Sequence, residues 1–207
     1  VLLLTRGKRN SFSVEVEGTN SAGDFGAALS TSYQNRNVFR GGETFNIKLR
    51  GAFEAIKGLS GYQDQNYIEY SAETGFTFPG FRAPFISRDF RRKVVATSEV
   101  SLMYDSQDRP EFHRRVVTAA WKYRWARPGK RLQHRVDLLD LNYVFMPWIS
   151  STFRELYLDD PENRNAILRY NYENLFIMKW GYNMTYNSRS IRDGRTNYGT
   201  NGYIVRM

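Results

Sequence analysis

The sequence predicts an all-β fold, an antiparallel meander of eight or nine strands that forms part of a transmembrane β-barrel. Apolar and polar residues alternate with a period of two along most of the chain, which is typical of strands with two different faces. Several alternating stretches run for ten residues or more, whereas strands average about five or six residues. Aromatic residues also gather at the ends of the apolar faces, as in membrane barrels.

The alternation can be followed strand by strand along the chain. In the clearest stretch, Phe45, Ile47 and Leu49 share one face and the residues between them are polar or charged. The alternating stretches are, in order, 11–17, 25–34, 44–54, 67–78, 93–104, 115–125 and 139–145, followed by weaker ones near 176–188 and 198–206. Turns are expected where Gly, Pro, Asn and Asp gather, in 18–24, 40–43, 57–66, 105–111 and 126–130. A short helical turn is expected near 150–157.

Strand length and aromatic placement favour a membrane over water as the surroundings of the sheet. A tilted membrane strand needs about 9–11 residues, and five of the stretches sustain alternation that far. Aromatic rings favour the boundary between lipid and water, so the interface aromatics are predicted to be Phe76, Phe78, Trp121, Tyr123 and Trp125. The opposite faces, rich in Ser, Gly, Thr and both charges, suit a wet lumen. The alternative is an aromatic core in a soluble barrel.

The amino-acid composition excludes further classes of protein and of site. The 207 residues include no cysteine, which excludes a disulfide scaffold and a cysteine-based metal site, and no apolar run approaches a membrane-spanning helix. The net charge is +9, but the basic residues are scattered. The densest clusters, Arg88–Lys93 and Lys122–Arg131, are mixed with aromatic or loop residues, which favours solvent or lipid headgroups over a nucleic-acid groove.

Catalytic, cofactor and metal sites are not predicted. The two histidines, His113 and His134, lack partners at metal-ligand spacing and are interpreted as lumen or rim residues, with His134 opposite the apolar face of its strand. The carboxylates of Asp105–Asp108 and Leu158–Pro161 suit calcium, but solvated turns are the preferred interpretation.

Charged residues on the polar face are expected to form a salt-bridged wall. They are Glu15, Glu17, Lys48, Arg50, Glu54, Glu69, Glu73 and Glu99. The segment 147–174 is the longest predicted connection. Counted from an inner-side N-terminus it falls on the outer side of the membrane, where it is expected to cap the barrel or contact a partner.

Two segments carry a resemblance to a known family. Residues 9–23 look like a first barrel strand with its outer loop, and residues 25–43 resemble the second strand and following turn of the BamA/TamA family of outer-membrane assembly barrels. The stretch 70–85, with Phe78-Pro79-Gly80-Phe81, is similar to the TamA-like proteins of the Bacteroidetes-type lineage. The match is centred on 9–54 and 67–86.

The resemblance implies a barrel of about sixteen strands preceded by periplasmic POTRA domains. Residues 1–207 are then expected to be the N-terminal half of that barrel, with the POTRA domains and the C-terminal half outside this chain. In such assembly machines the first and last strands pair poorly, the seam opens sideways, and a client strand adds to the exposed edge by β-augmentation. No cofactor is implied.

Mapped onto this sequence, the client-pairing edge is the backbone of the first strand, with Gly18 expected to let that strand bend. Its residues are Asn10, Ser11, Phe12, Ser13, Val14, Glu15, Val16, Glu17 and Gly18. The implied partners are outer-membrane lipids, client β-barrel proteins and other assembly or surface subunits, with no nucleic acid. The implied location is the bacterial outer membrane. The alternatives are a passive outer-membrane channel or small structural barrel, and a soluble basic β-protein that binds a polyanion.

Overall fold

The computed structural model describes residues 8–21, 24–55, 66–83, 86–128, 132–158, 172–187 and 204–206, which build one antiparallel sheet. Its strands are β1 (Asn10–Ser21), β2 (Asp24–Arg36), β3 (Thr44–Ala55), β4 (Asn66–Pro79), β5 (Val95–Asp108), β6 (Phe112–Ala126), β7 (Leu132–Ile149), β8 (Leu175–Asn187) and β9 (Ile204–Arg206). Each strand pairs with its neighbours in sequence, so the predicted meander of eight or nine strands is confirmed.

The sheet is open in the described part of the chain. β1 and β9 lie at opposite ends of the strand order and do not pair with each other. β9 is three residues long and, among the described residues, pairs with the end of β8, from Thr185 to Asn187. No helix within the described ranges is long and apolar enough to cross a membrane.

The pairing register gives the sheet an apolar face and a polar face. Phe45 lies beside Phe76, and Leu102 lies beside Ala119, so the apolar positions of successive strands meet on one side. Much of this apolar face is uncovered: Val16 is 79% exposed and Phe25 is 62% exposed. The strands have two ends along their length. We call the end at which β1 begins the Asn10 end of the sheet and the opposite end the Asn20 end.

A β-bulge in β7 corrects one prediction. Trp121 pairs with Leu139 while Lys122 pairs with Asp137, so Leu138 is left without a partner on β6. The extra residue reverses the alternation, and His134 therefore lies opposite Trp125 on the apolar face rather than on the polar one. The two rings stack with centroids 5.0 Å apart.

The helices are short. The expected helical turn near 150–157 is confirmed as α2 (Ser151–Phe153), which continues into a π-helical turn at Arg154–Leu158. A second helix, α1 (Arg88–Lys93), was not predicted. Asp105–Asp108 was expected to be a turn but ends β5, because its residues continue the ladder with β6; the turn is confined to residues 109–111. Most of Leu158–Pro161 lies outside the described residues.

Candidate membrane-facing surface and strand-pairing edge

β1 is a long and uncovered edge strand. Within the described residues it pairs only with β2, and every residue from Asn10 to Gly18 is exposed. β1 contains no proline and no lysine, two devices by which edge strands usually avoid pairing with other chains. The strand keeps an unbroken register past Gly18 as far as Ser21, so it neither ends nor bulges where a bend was expected.

The direction of the backbone groups divides the predicted edge into two sets. The amide of Arg36 donates to the carbonyl of Arg9 at 2.8 Å, which identifies that pair as hydrogen-bonded. Hydrogen-bonded and non-bonded pairs alternate in an antiparallel ladder. The N–H and C=O groups directed away from β2 therefore belong to Asn10, Phe12, Val14, Val16 and Gly18. Those of Ser11, Ser13, Glu15 and Glu17 face β2.

Polar side-chain contacts within the described residues hold β1 to the sheet. Ser13 and Ser32 share a hydrogen bond of 2.7 Å between their hydroxyls, and the Tyr33 hydroxyl donates to Asn10 at 3.3 Å. On the polar face, the guanidinium of Arg50 lies 3.6 Å from the carboxylate of Glu17, reaching across β2. These contacts leave the outward backbone groups of β1 available.

The predicted interface aromatics form one band at the Asn10 end of the apolar face. Phe76 and Phe78 stack with centroids 6.0 Å apart, and Trp121 and Tyr123 lie 5.9 Å apart. Tyr123 differs from the others because it is only 4% exposed, covered by the segment between β4 and β5. Four of the five predicted aromatics are therefore at least partly accessible, and Tyr123 anchors that segment.

A second aromatic band, not singled out from the sequence, lies at the Asn20 end. Its members are Phe25, Phe53, Tyr70, Tyr104, Tyr143, Phe145 and Phe176, all at least 38% exposed. Between the bands the apolar face carries aliphatic and small residues such as Leu49 and Leu102. From Phe45 to Phe53 the strand rises about 26 Å, or about 20 Å along the normal of a membrane if the strand is tilted as in barrels.

The polar face carries part of the expected salt-bridged wall. Arg50 contacts Glu69 at 2.6 Å in addition to Glu17, and Arg124 contacts Glu99 at 3.3 Å. The remaining predicted members, Glu15, Lys48, Glu54 and Glu73, have no ion pair among the described residues. Ala28 and Ser30 are each only 3% exposed, because longer side chains on this face cover them.

The turn between β2 and β3 is fixed by Glu43, which the sequence did not single out. Its backbone carbonyl accepts from the amide of Asn37 at 2.5 Å, its carboxylate accepts from the amide of Gly41 at 2.9 Å, and Arg82 lies 3.4 Å away. Hydrogen bonds from backbone amides, its own first, lower the pKa of Glu43 below its ordinary value against the opposing effect of burial.

His113 lies at the rim of the Asn20 end. Its ring is 3.8 Å from the carboxylate of Asp108 and packs on Trp148 with centroids 4.9 Å apart. In the part of the chain that the structure describes, no three acidic, histidine or cysteine side chains are grouped as metal ligands.

Comparison of the chain with protein-family models, with curated proteins and with solved structures returned no match.

Proposed function

We propose that this chain forms part of a transmembrane β-barrel of the bacterial outer membrane and takes part in the assembly, insertion or translocation of client barrel proteins at a seam along β1. The observation that carries the proposal is the exposed edge of β1, whose outward backbone groups are joined to no described strand. The resemblance of residues 9–54 and 67–86 to the BamA/TamA family supports the same role.

The apolar face supports a membrane as the surroundings. Soluble monomers rarely expose contiguous apolar patches larger than a few hundred Å², whereas here the apolar residues of eight strands lie side by side without a covering layer over most of the face. Two aromatic bands border this surface, which is the arrangement that lipid–water boundaries favour. A backbone in lipid must satisfy its hydrogen bonds internally, so further strands are expected to complete the sheet.

The edge supports client pairing as the function. An incoming strand that lies beside β1 can bond to the N–H and C=O groups of Phe12, Val14 and Val16, which gives affinity without any particular client sequence. The alternation of apolar and polar side chains then sets the register of the client, so that its apolar residues also face lipid. No catalytic group is required.

Site-specific crosslinking in cells tests this function. The chain has no cysteine, so Ser13→Cys on β1 introduces a single thiol on the polar face beside the edge. We expect disulfides between this position and single cysteines in a nascent barrel protein arrested during assembly. Ser71→Cys is the matched control, because Ser71 lies on the same face of β4, which is paired on both sides.

Two outcomes would contradict the proposal. If Ser13→Cys crosslinks only to another strand of its own chain, β1 closes a barrel and receives no client. If Ser71→Cys captures the nascent protein as efficiently as Ser13→Cys, the contact is with the lumen and not with the edge.

A further inference from the structure

The segment between β4 and β5 folds back onto the apolar face at the Asn10 end. Phe81 packs on Tyr123 and Trp125 with centroids 5.6 Å apart in both cases, and Phe90 of α1 packs on Phe81 at 5.9 Å. Ser98 fixes the start of this segment, since its hydroxyl donates to the carbonyl of Gly80 at 2.8 Å and accepts from the amide of Arg82 at 2.9 Å. We call residues 80–83 and 86–94 the connector.

The connector places cations beside the aromatic band. Phe90 is partly buried against the sheet, while the other five residues of α1 are exposed. Four of those five are basic: Arg88, Arg91, Arg92 and Lys93. Arg91 donates to the carbonyl of Ala83, which holds α1 against the start of the connector. Within the described residues, Arg88, Arg92 and Lys93 have no ion pair, and Asp89 is the only acid in the helix.

An apolar groove lies on the same face, and the connector lines it with Arg82, the neighbour in sequence of the Ala83 whose carbonyl Arg91 contacts. It measures about 450 Å³ and runs between the β2–β3 turn and the connector. Phe39, Phe78, Val100 and Trp121 line it, together with Ser98, Glu43 and Arg82. Arg82 is 55% exposed at its side chain and lies over the Phe78 ring at 5.3 Å. A hydrocarbon chain in this groove would have its polar headgroup at the level of Arg82 and α1.

We propose that the connector and this groove bind an anionic phospholipid at the periplasmic leaflet, with the phosphate at the basic residues of α1 and an acyl chain against Trp121. The inference rests on the proposed membrane location of the sheet. Charge complementarity identifies the occupant, because the exposed cations of α1, held to the connector by Arg91, share one face with the aromatic and apolar residues of the groove and match a headgroup phosphate above its chain. The Asn10 end is assigned to the periplasmic side because an inner-side N-terminus is expected from the sequence, and the connector would then fix the depth of β4 to β6 in the bilayer.

Fluorescence quenching by brominated lipids tests the inference. In the full-length protein with Trp148→Phe and Trp180→Phe, the tryptophan fluorescence of this chain comes from Trp121, which lines the groove, and from Trp125, which packs on Phe81 of the connector. The protein is reconstituted in vesicles of phosphatidylcholine and phosphatidylglycerol in equal amounts, with one or the other lipid brominated. We expect brominated phosphatidylglycerol to quench more strongly. In the variant Arg88→Gln/Arg92→Gln/Lys93→Gln, the binding constant for phosphatidylglycerol relative to phosphatidylcholine should fall about tenfold.

The control removes the same number of cations from the polar face, through Lys48→Gln/Lys122→Gln/Lys179→Gln, and should keep the preference. Equal quenching by the two lipids in the unsubstituted protein would overturn the inference, because α1 would then not distinguish an anionic headgroup. A control that loses the preference as fully as the α1 variant would overturn it too, because the effect would then follow net charge. If neither lipid quenches, the sheet is not in the bilayer and the proposed function fails first.

Discussion

At the scale of single residues, Arg50 is the side chain that connects the edge strand to the interior of the sheet. It contacts Glu17 on β1 and Glu69 on β4, and Glu69 also accepts from the hydroxyl of Tyr67. The side chain of Glu17 is 49% exposed, so its pair with Arg50 contributes at most about 1 kcal/mol. This weak contact adds to the twelve-residue pairing of β1 with β2 and leaves the outward backbone groups that a client strand would use unoccupied.

We predict that Arg50→Gln loosens the pairing of β1 with β2 without unfolding the sheet. The rate of amide hydrogen exchange in β1 should rise about fivefold near Glu17, which corresponds to the loss of about 1 kcal/mol of local stability. Mass spectrometry of the exchanged peptides measures this rate. Lys48→Gln on the same strand and face is the control, because Lys48 has no ion pair among the described residues. Equal exchange in the two variants would show that Arg50 does not hold the edge.

Glu43 makes the β2–β3 turn sensitive to acid. Because its pKa is lowered from the ordinary value of 4.5, ionised Glu43 stabilises the fold above that value, and this contribution disappears as the pH falls through the lowered pKa. Glu43→Gln should therefore lower the thermal midpoint at pH 7, where only the unsubstituted protein has the charge. The difference between the two proteins should vanish in strong acid, because both are then neutral at this position. A difference independent of pH would contradict the assignment.

At the scale of elements, β1 offers a pair of substitutions that separates edge pairing from sheet stability. Proline lacks the N–H group, and Val14 directs its N–H away from β2 whereas Glu15 directs its N–H toward β2. We predict that Val14→Pro abolishes crosslinking of Ser13→Cys to the client while the protein remains folded. Glu15→Pro should instead destabilise the β1–β2 pair by about 2 kcal/mol, since it leaves a carbonyl of β2 unpaired.

Crosslinking yield and thermal unfolding, measured on both variants, distinguish these effects. A Val14→Pro protein that unfolds as readily as Glu15→Pro would mean that another strand already occupies the edge. The substitution would then break a structural ladder instead of a client contact, and the seam would be closed.

The connector is the element that was not predicted from the sequence. Its signals are present: Ser87 accepts from the amide of Phe90 at 3.3 Å as a helix N-cap, Asp89 lies in the first turn, and basic residues follow. The helix has only six residues, so it shows no helical period for the sequence to display. Its position on the apolar face depends on Phe81 reaching Tyr123, 42 residues later in the chain, and local patterns carry no such contact.

At the scale of the whole molecule, the surroundings of the apolar face decide how the protein tolerates charge. Leu102 lies between the aromatic bands and is 50% exposed. If this face contacts lipid, Leu102→Lys should destabilise the inserted protein by about 2–4 kcal/mol, the cost of a lysine near the middle of a bilayer. Denaturant titration of the protein in vesicles measures this difference.

Ser101→Lys is the matched control, because Ser101 precedes Leu102 and lies on the polar face. Ser101→Lys should lower the free energy of unfolding by well under half as much as Leu102→Lys. In a water-soluble sheet the result would differ, since a lysine at a half-exposed position costs little. Nearly equal stabilities of the two variants, or a protein that stays monodisperse without detergent, would therefore contradict the membrane proposal.

The sequence by itself determined the meander, the strand order and most of the two faces, because alternation is a local property and consecutive strands usually lie beside each other in a sheet. The same local alternation determined that Phe76, Phe78, Trp121 and Trp125 lie in one band. The tertiary structure alone decided which backbone groups of β1 are free, since that depends on the register with β2. It also decided on which face of the sheet His134 lies. Leu138 has no partner on β6, and this extra residue reverses an alternation that looks continuous in the sequence.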